Sequence, residues 1–259
     1  MYALLYDNMN FDLGILDDWF KANKLSLNVN KTKFMVFPSL PNDLQICVGN
    51  NPVDRVDTFK FLGLKIDSKL NWHDHIKFVK SKLASAHYAI NSVEHFLPRL
   101  HFRMLNNSIV KSHIEYGLLL WGNTHKSYTN QIVVLQKKCI RAIMGVPYNA
   151  HSEPLFQHLK LMNFEQLLKY HLGKFMYLSI NKQLPINLDI FTRNNVLHDH
   201  QTRQRNEPHH FIRRTSLASR CITFTGPSYW HSLPLTMKNS LNIVQFNSSH
   251  RKYLTISER

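Results

Sequence analysis

The chain has little glycine and little cysteine: eight and three in 259 residues. So few glycines leave scant material for phosphate-cradling loops. Neither a Gly-x-x-x-x-Gly-Lys loop nor a Gly-x-Gly-x-x-Gly turn occurs. A Gly-x-Ser-x-Gly nucleophile elbow is missing too. Cys47, Cys139 and Cys221 are far apart and odd in number, which excludes a disulfide scaffold and a cysteine-based zinc site. They fit a reducing compartment, so an intracellular location, nuclear or cytoplasmic, is expected. No apolar run approaches the ~18–20 residues of a membrane-spanning helix. The opening Tyr2-Ala3-Leu4-Leu5-Tyr6 is short and meets Asp7 with no basic flank, unlike a signal peptide.

Acidic residues are scarce as well. Lys plus Arg is 32 against 17 Asp plus Glu, a net charge of +15. With 44% hydrophobic and 12% aromatic residues, the chain can still bury a core, which excludes wholesale disorder. The charge is uneven. Residues 1–74 hold 8 cations against 9 acids, whereas residues 75–259 hold 24 against 8, or +16. A basic excess confined to part of a chain points to a polyanion such as nucleic acid. On charge alone a solvated basic surface weighs as much, with an anionic membrane well behind.

Patterning also changes along the chain. Phe11, Leu13, Leu16, Trp19 and Phe20 recur at helical spacing. Short runs at Phe34–Phe37, Leu44–Val48 and Phe59–Ile66 read as three strands, with a turn at Gly49-Asn50-Asn51-Pro52. Next, Ile76, Val79, Leu83, Ala86, Ile90, Val93 and Leu97 alternate steps of three and four, the seam of an amphipathic helix. A second apolar stripe runs from Leu100 toward Trp121-Gly122. Ile132, Leu135, Cys139 and Ile143 mark a further helix ended by Gly145-Val146-Pro147, and Phe164, Leu167, His171, Phe175 and Leu178 mark another. Beyond about residue 185 periodicity weakens, and Arg220–Thr225 reads as strand-like. The fold class expected is α+β, mostly α. It comprises a small sheet with one helix over 1–72, an antiparallel helical bundle over 73–184 and an irregular basic region over 185–259.

Each cluster of chemistry-bearing residues has a bland counterpart. Asp17 and Asp18 are adjacent on a helix, so they point about 100° apart and converge poorly on one ion. The histidine pairs His73/His75, His198/His200 and His209/His210 lack the companion ligands of a zinc site. Polar surface bias, visible also in 24 Asn, explains much of the histidine. No metal site is expected. Lys77 and Lys80 open one helix, Lys137, Lys138 and Arg141 share an arc of another, and Arg213-Arg214 precede an aromatic group. Mobile cations of this kind bind phosphates, and nearby rings can stack on bases. Taken singly, each cluster is more often a solvated face.

Order and spacing carry a resemblance. Leu16-Asp17-Asp18-Trp19-Phe20, then Leu27-Asn28, Lys31-Thr32-Lys33-Phe34 and Phe61-Leu62-Gly63-Leu64-Lys65-Ile66-Asp67 form one series. Ser112-His113-Ile114-Glu115-Tyr116-Gly117, Trp121-Gly122, Leu135-Gln136-Lys137 and Arg141 continue it. Thr202-Arg203, Gly226-Pro227, Trp230 and Leu233-Pro234 close it. The series resembles the reverse transcriptases of non-LTR (LINE, jockey-like) retrotransposons, downstream of their catalytic Tyr-Ala-Asp-Asp turn.

The resemblance implies that residues 1–72 are a palm remnant, 73–184 the helical thumb and 185–259 the connection region. It implies that Lys31 and Thr32 lie on the incoming-nucleotide side and that Phe61, Leu62 and Gly63 belong to the hairpin gripping the primer. It implies RNA or RNA–DNA duplex as partner, no membrane, and association with a missing polymerase half. Polymerase chemistry uses carboxylates from separate motifs to hold two divalent ions, and the Tyr-Ala-Asp-Asp turn does not occur here. The expectation is therefore a truncated, inactive chain, no enzyme on its own, with no catalytic residue, no cofactor and residual nucleic-acid binding. The alternatives are a fragment whose catalytic half is encoded upstream and a translated pseudogene.

Overall fold

A computed structural model describes residues 2–37, 45–49, 51–96, 98, 101–185, 190–197, 205 and 207–256. The chain divides into two compact units, residues 1–75 and 76–259. The architecture is α+β and mostly helical, as the patterning predicts.

The first unit opens with α1 (Tyr2–Ala22). Tyr6 of this helix is buried with Ile46, Val48 and Val53, and Leu13, Leu27, Val29 and Phe34 pack around them. Asn10 ties the helix to the sheet, accepting from Cys47 N at 2.9 Å and donating to Gln45 O at 3.3 Å. The sheet holds β1 (Lys33–Phe34), β2 (Ile46–Val48) and β3 (Asn51–Arg55) in the order β1-β3-β2. β1 runs parallel to β3 and β2 antiparallel.

The run read as a single third strand is instead a hairpin, β4 (Thr58–Phe61) and β5 (Leu64–Asp67). Leu62 and Gly63, at φ of 45° and 85°, form its two-residue turn. Two positive φ values match the right-handed twist of paired strands, a turn usually built from Asn-Gly. An apolar leucine in that place hid the reversal from the hydrophobic pattern. After β5, Asp67 accepts from the backbone N–H groups of Lys69, Asn71 and Trp72 at 3.1, 3.0 and 2.7 Å. Those bonds hold a loop in which Leu70 and Trp72 also take positive φ.

The second unit starts within α2 (His73–Val93). The predicted seam is buried at Ile76, Val79, Leu83, Ala86 and Ile90, while Val93 is exposed and Leu97 lies outside the described residues. Burying each large apolar side chain contributes about 1.5–3 kcal/mol before the entropy of ordering it. α3 (Phe102–Leu105) and α4 (Ser112–Glu115) are joined through a π-helical turn at Asn106–Lys111. Gly117, at φ 63°, leads into α5 (Leu118–Trp121). α6 (Lys126–Met144) ends where predicted, with Gly145 in the left-handed region. α7 (Glu153–Leu159) ends on Lys160, a non-glycine residue at φ 52°.

α8 (Phe164–Ile180) starts from a capping box, in which Asn163 and Gln166 exchange side chain-to-backbone hydrogen bonds. After α9 (Asn194–Leu197) and an irregular stretch, the chain is helical again. It forms α10 (Ser216–Arg220), α11 (Ile222–Ser232), α12 (Leu235–Lys238) and α13 (Ile243–Ile256). The strand expected at Arg220–Thr225 is therefore corrected to helix. α11 and α13 both pack on α8. Their shared core of Met176, Tyr177, Trp230, Leu233, Met237 and Phe246 outweighs the β-propensity of Ile222, Phe224 and Thr225. Gly173 lets α13 approach α8, since a Cβ there would collide with the buried His250 imidazole.

Candidate nucleic-acid interface

The predicted cations fall on different elements. Lys77 and Lys80 are exposed on α2, and Lys138 is exposed on α6 beside the half-buried Lys137. α2 and α6 meet: Lys80 Nζ donates to Gln131 Oε1 at 3.0 Å, and the Cys139 thiol contacts Leu83 O at 3.8 Å. Burial pushes the Cys139 thiol up to about 12, so it is an inert core group. His87 on α2 is shifted below its ordinary value, first by burial and then by the charge of Lys138. The Lys138 ammonium is thus close enough to α2 to be felt there. The fold joins the α2 and α6 clusters, which the sequence left as separate helix faces.

Arg141 is used differently. Its Nε donates to Ala150 O at 2.7 Å and so braces the turn after α6. Arg213 and Arg214 are exposed on the chain leading to α10, and the Arg213 guanidinium lies over the Phe211 ring at 5.2 Å. That cation–ring pair is an amphipathic surface of the type that stacks on bases.

In the first unit, Lys31 closes a short 3-10 turn whose cap, Asn28, accepts from Lys31 N at 3.2 Å. The Thr32 hydroxyl donates to Asn28 O at 3.0 Å, which fixes the turn and leaves the Lys31 side chain exposed. Phe61 and Leu62 protrude from the β4–β5 hairpin, 56% and 74% exposed, with Gly63 beside them. An apolar tip held by a leucine at positive φ is costly to keep for stability alone. Asp17 pairs with Lys21 at 2.6 Å, one helical turn on, and its side chain is 16% exposed, largely covered rather than on a solvated face.

The histidines serve the fold. His75 is buried rather than on the surface, with Nδ1 accepting from Lys65 N at 3.4 Å, and burial pushes its imidazole down to about 4. His209 bonds Asn194 at 2.7 Å and His210 bonds Ser228. His198, His200 and Thr202-Arg203 lie outside the described residues. Among the described residues no three His, Cys, Asp or Glu side chains are grouped to hold a metal ion. Among the described residues, too, no helix is long and apolar enough to cross a membrane.

A feature missed in the sequence is a pocket of about 50 Å³ beside the π turn, lined by Arg103, Lys111, Lys160 and Arg251 over Asn106 and Gln136. The Asn106-Asn107 pair was its only local signal, because the π turn and the approach of Lys160 and Arg251 are tertiary.

Comparison with known proteins bears out the resemblance to non-LTR retrotransposon polymerases. The chain is 25% identical over 170 residues to the probable RNA-directed DNA polymerase from transposon BS of Drosophila melanogaster, covering 63% of this chain and 19% of that protein. It is 22% identical over 158 residues to the probable polymerase from transposon X-element of the same fly, covering 59% and 17%. It is 23% identical over 174 residues to the RNA-directed DNA polymerase from mobile element jockey, covering 63% and 18%. The chain thus spans less than a fifth of the length of these relatives. These names correct the expectation that the chain is no enzyme, since every protein cited is called a polymerase. No family model and no solved structure matches the chain.

Proposed function

We propose that this chain is part of a retrotransposon RNA-directed DNA polymerase and that residues 76–259 hold its template–primer. The carrying observation is the contact of α2 with α6, which ties Lys80 and Lys138 together on a unit of net charge +16; Lys77 and Lys137 join them in this reading. The Lys80–Gln131 and Cys139–Leu83 contacts tie the two helices together, so these cations are positioned before any phosphate arrives and less entropy is lost on binding. Arg213 and Arg214 are further phosphate contacts in this reading. The β4–β5 hairpin takes the primer end, with Phe61, Leu62 and Gly63 as its contact. Lys31 and Thr32 lie on the nucleotide side. The exposed apolar face of α1, with Leu4, Phe11, Ile15 and Trp19, is where further polymerase structure packs.

The test is binding of a labelled RNA–DNA duplex by the recombinant chain across a salt series. Affinity is expected to fall steeply, with a log–log slope of about 0.9 per neutralised phosphate. Reversing Lys137 and Lys138 to Glu should flatten that slope by about two and leave thermal stability within about 0.5 kcal/mol. Undetectable binding in dilute buffer, or binding indifferent to salt, would overturn the proposal.

A further inference from the structure

The pocket at the π turn combines four features that a solvated basic face does not need. First, its described lining holds Arg103, Lys111, Lys160 and Arg251 and no carboxylate. Lys111 also faces Glu115 Oε1 at 3.5 Å, and the Arg251 guanidinium lies 5.6 Å from the Tyr170 ring. Arg103 and Lys160 have no carboxylate partner among the described residues.

Second, its floor is polar and starved of donors. Asn106 and Gln136 are 4% and 2% exposed. Gln136 Nε2 donates to Met162 O at 3.2 Å, which fixes the orientation of the amide. Gln136 Oε1 and Asn106 Oδ1 are both buried and accept no hydrogen bond from the described residues. A buried acceptor left unpaired costs about 1–3 kcal/mol. Two of them lining one pocket mark a place for a ligand that brings donors.

Third, Asn106 and Lys111 begin and end the π-helical turn. Such turns sacrifice regular hydrogen bonding and recur at functional sites. Fourth, Lys160 occupies a left-handed helix end at φ 52°, where glycine is the unstrained choice. A lysine kept there brings its charge to the pocket at a conformational cost.

The rim wants an anion and the floor wants a hydrogen-bond donor. A DNA backbone supplies the first and not the second. RNA supplies both, because each phosphate is flanked by a ribose 2′-hydroxyl that donates. The volume, about 50 Å³, is several times the ~10–15 Å³ one water needs. It suits a phosphate with its neighbouring hydroxyl. We propose that this pocket takes one ribose-phosphate of an RNA strand, with Arg103, Lys160 and Arg251 on the phosphate and one of the two buried amide oxygens, Gln136 Oε1, accepting the single proton of the 2′-hydroxyl. This rests on the reading of the second unit as a nucleic-acid-binding surface. It adds a discrimination between RNA and DNA that surface charge alone does not provide.

The experiment measures binding of the full chain to three labelled single strands of one sequence: RNA, DNA and 2′-fluoro RNA, which lacks the donor. RNA is expected to bind about five- to tenfold more tightly than the other two, the worth of roughly one hydrogen bond. Arg103→Ala should lower the salt slope by about 0.7 on every strand, one phosphate contact fewer. Lys160→Gly relieves the positive φ, so it should melt at a higher temperature and yet bind more weakly. A merely structural lysine would show the first effect without the second. Equal affinity for RNA and 2′-fluoro RNA overturns the hydroxyl contact. Nucleic-acid binding that persists with an unchanged slope in both variants overturns the pocket. Failure of the unaltered chain to bind any strand overturns instead the broader reading on which the pocket depends.

Discussion

The two units answer different physical demands. Residues 1–75 are close to charge balance and keep large apolar side chains in the open, on α1 and at the tip of the β4–β5 hairpin. Residues 76–259 carry +16 and bury Tyr177, Trp230 and Phe246 around α8. Self-repulsion on that scale works against compaction. The second unit therefore needs its apolar centre, whereas the first has only a few buried side chains and a two-residue turn to hold it. Charge has been gathered where the core can bear the repulsion.

The sharpest way to break this contrast is to remove the α8 core. Trp230→Ala should destabilise the second unit by about 3–5 kcal/mol through lost burial and the cavity left behind. Hydrogen exchange should then show α8, α11 and α13 opening while β2 and β3 keep their protection. Simultaneous loss of both would make the two units one cooperative body.

Acid comes next. His250 is buried against Tyr170, Tyr229 and Phe246, and burial pushes its imidazole down to about 4. The folded group binds its proton less readily than the unfolded one. The stability it contributes is therefore complete above the unfolded value near 6.5 and is lost as pH falls toward 4. The loss is on the order of 3 kcal/mol for the second unit. His75 shifts in the same direction and gives the first unit its own weakness to acid. Denaturant melts of the chain and of His250→Gln between pH 7 and 4 check this: the variant should start lower and decline less. An equal decline would remove His250 from the account.

The smallest expected effect is a gain. Leu62→Gly relieves the positive φ at the hairpin turn and should stabilise β4–β5 by up to about 1 kcal/mol. If the exposed leucine serves the primer, the same change should weaken duplex binding. Tighter folding with undiminished binding would strip the hairpin tip of that role.

Much of this was legible in the chain itself. The α2 seam needed only steps of three and four, and five of its seven predicted positions are buried. The end of α6 at Gly145 needed only the preference of glycine for the left-handed cap. The mostly helical α+β class followed from such local signals. The hairpin at Leu62-Gly63 was obscured because leucine there serves the turn while reading as part of an apolar run. The strand-like Arg220–Thr225 segment was misread because packing on α8 decides its conformation.

By itself, then, the sequence determined which faces are apolar, where the charge lies and which polymerases the chain resembles, because periodicity and composition are properties of neighbours along the chain. Tertiary structure alone decided that Lys80 and Lys138 belong to one surface. It alone set Arg103, Lys160 and Arg251, from three distant stretches, around the unpaired amide oxygens of Asn106 and Gln136. Such a cluster depends on closing long loops and on a π turn, and neither leaves a period in the sequence.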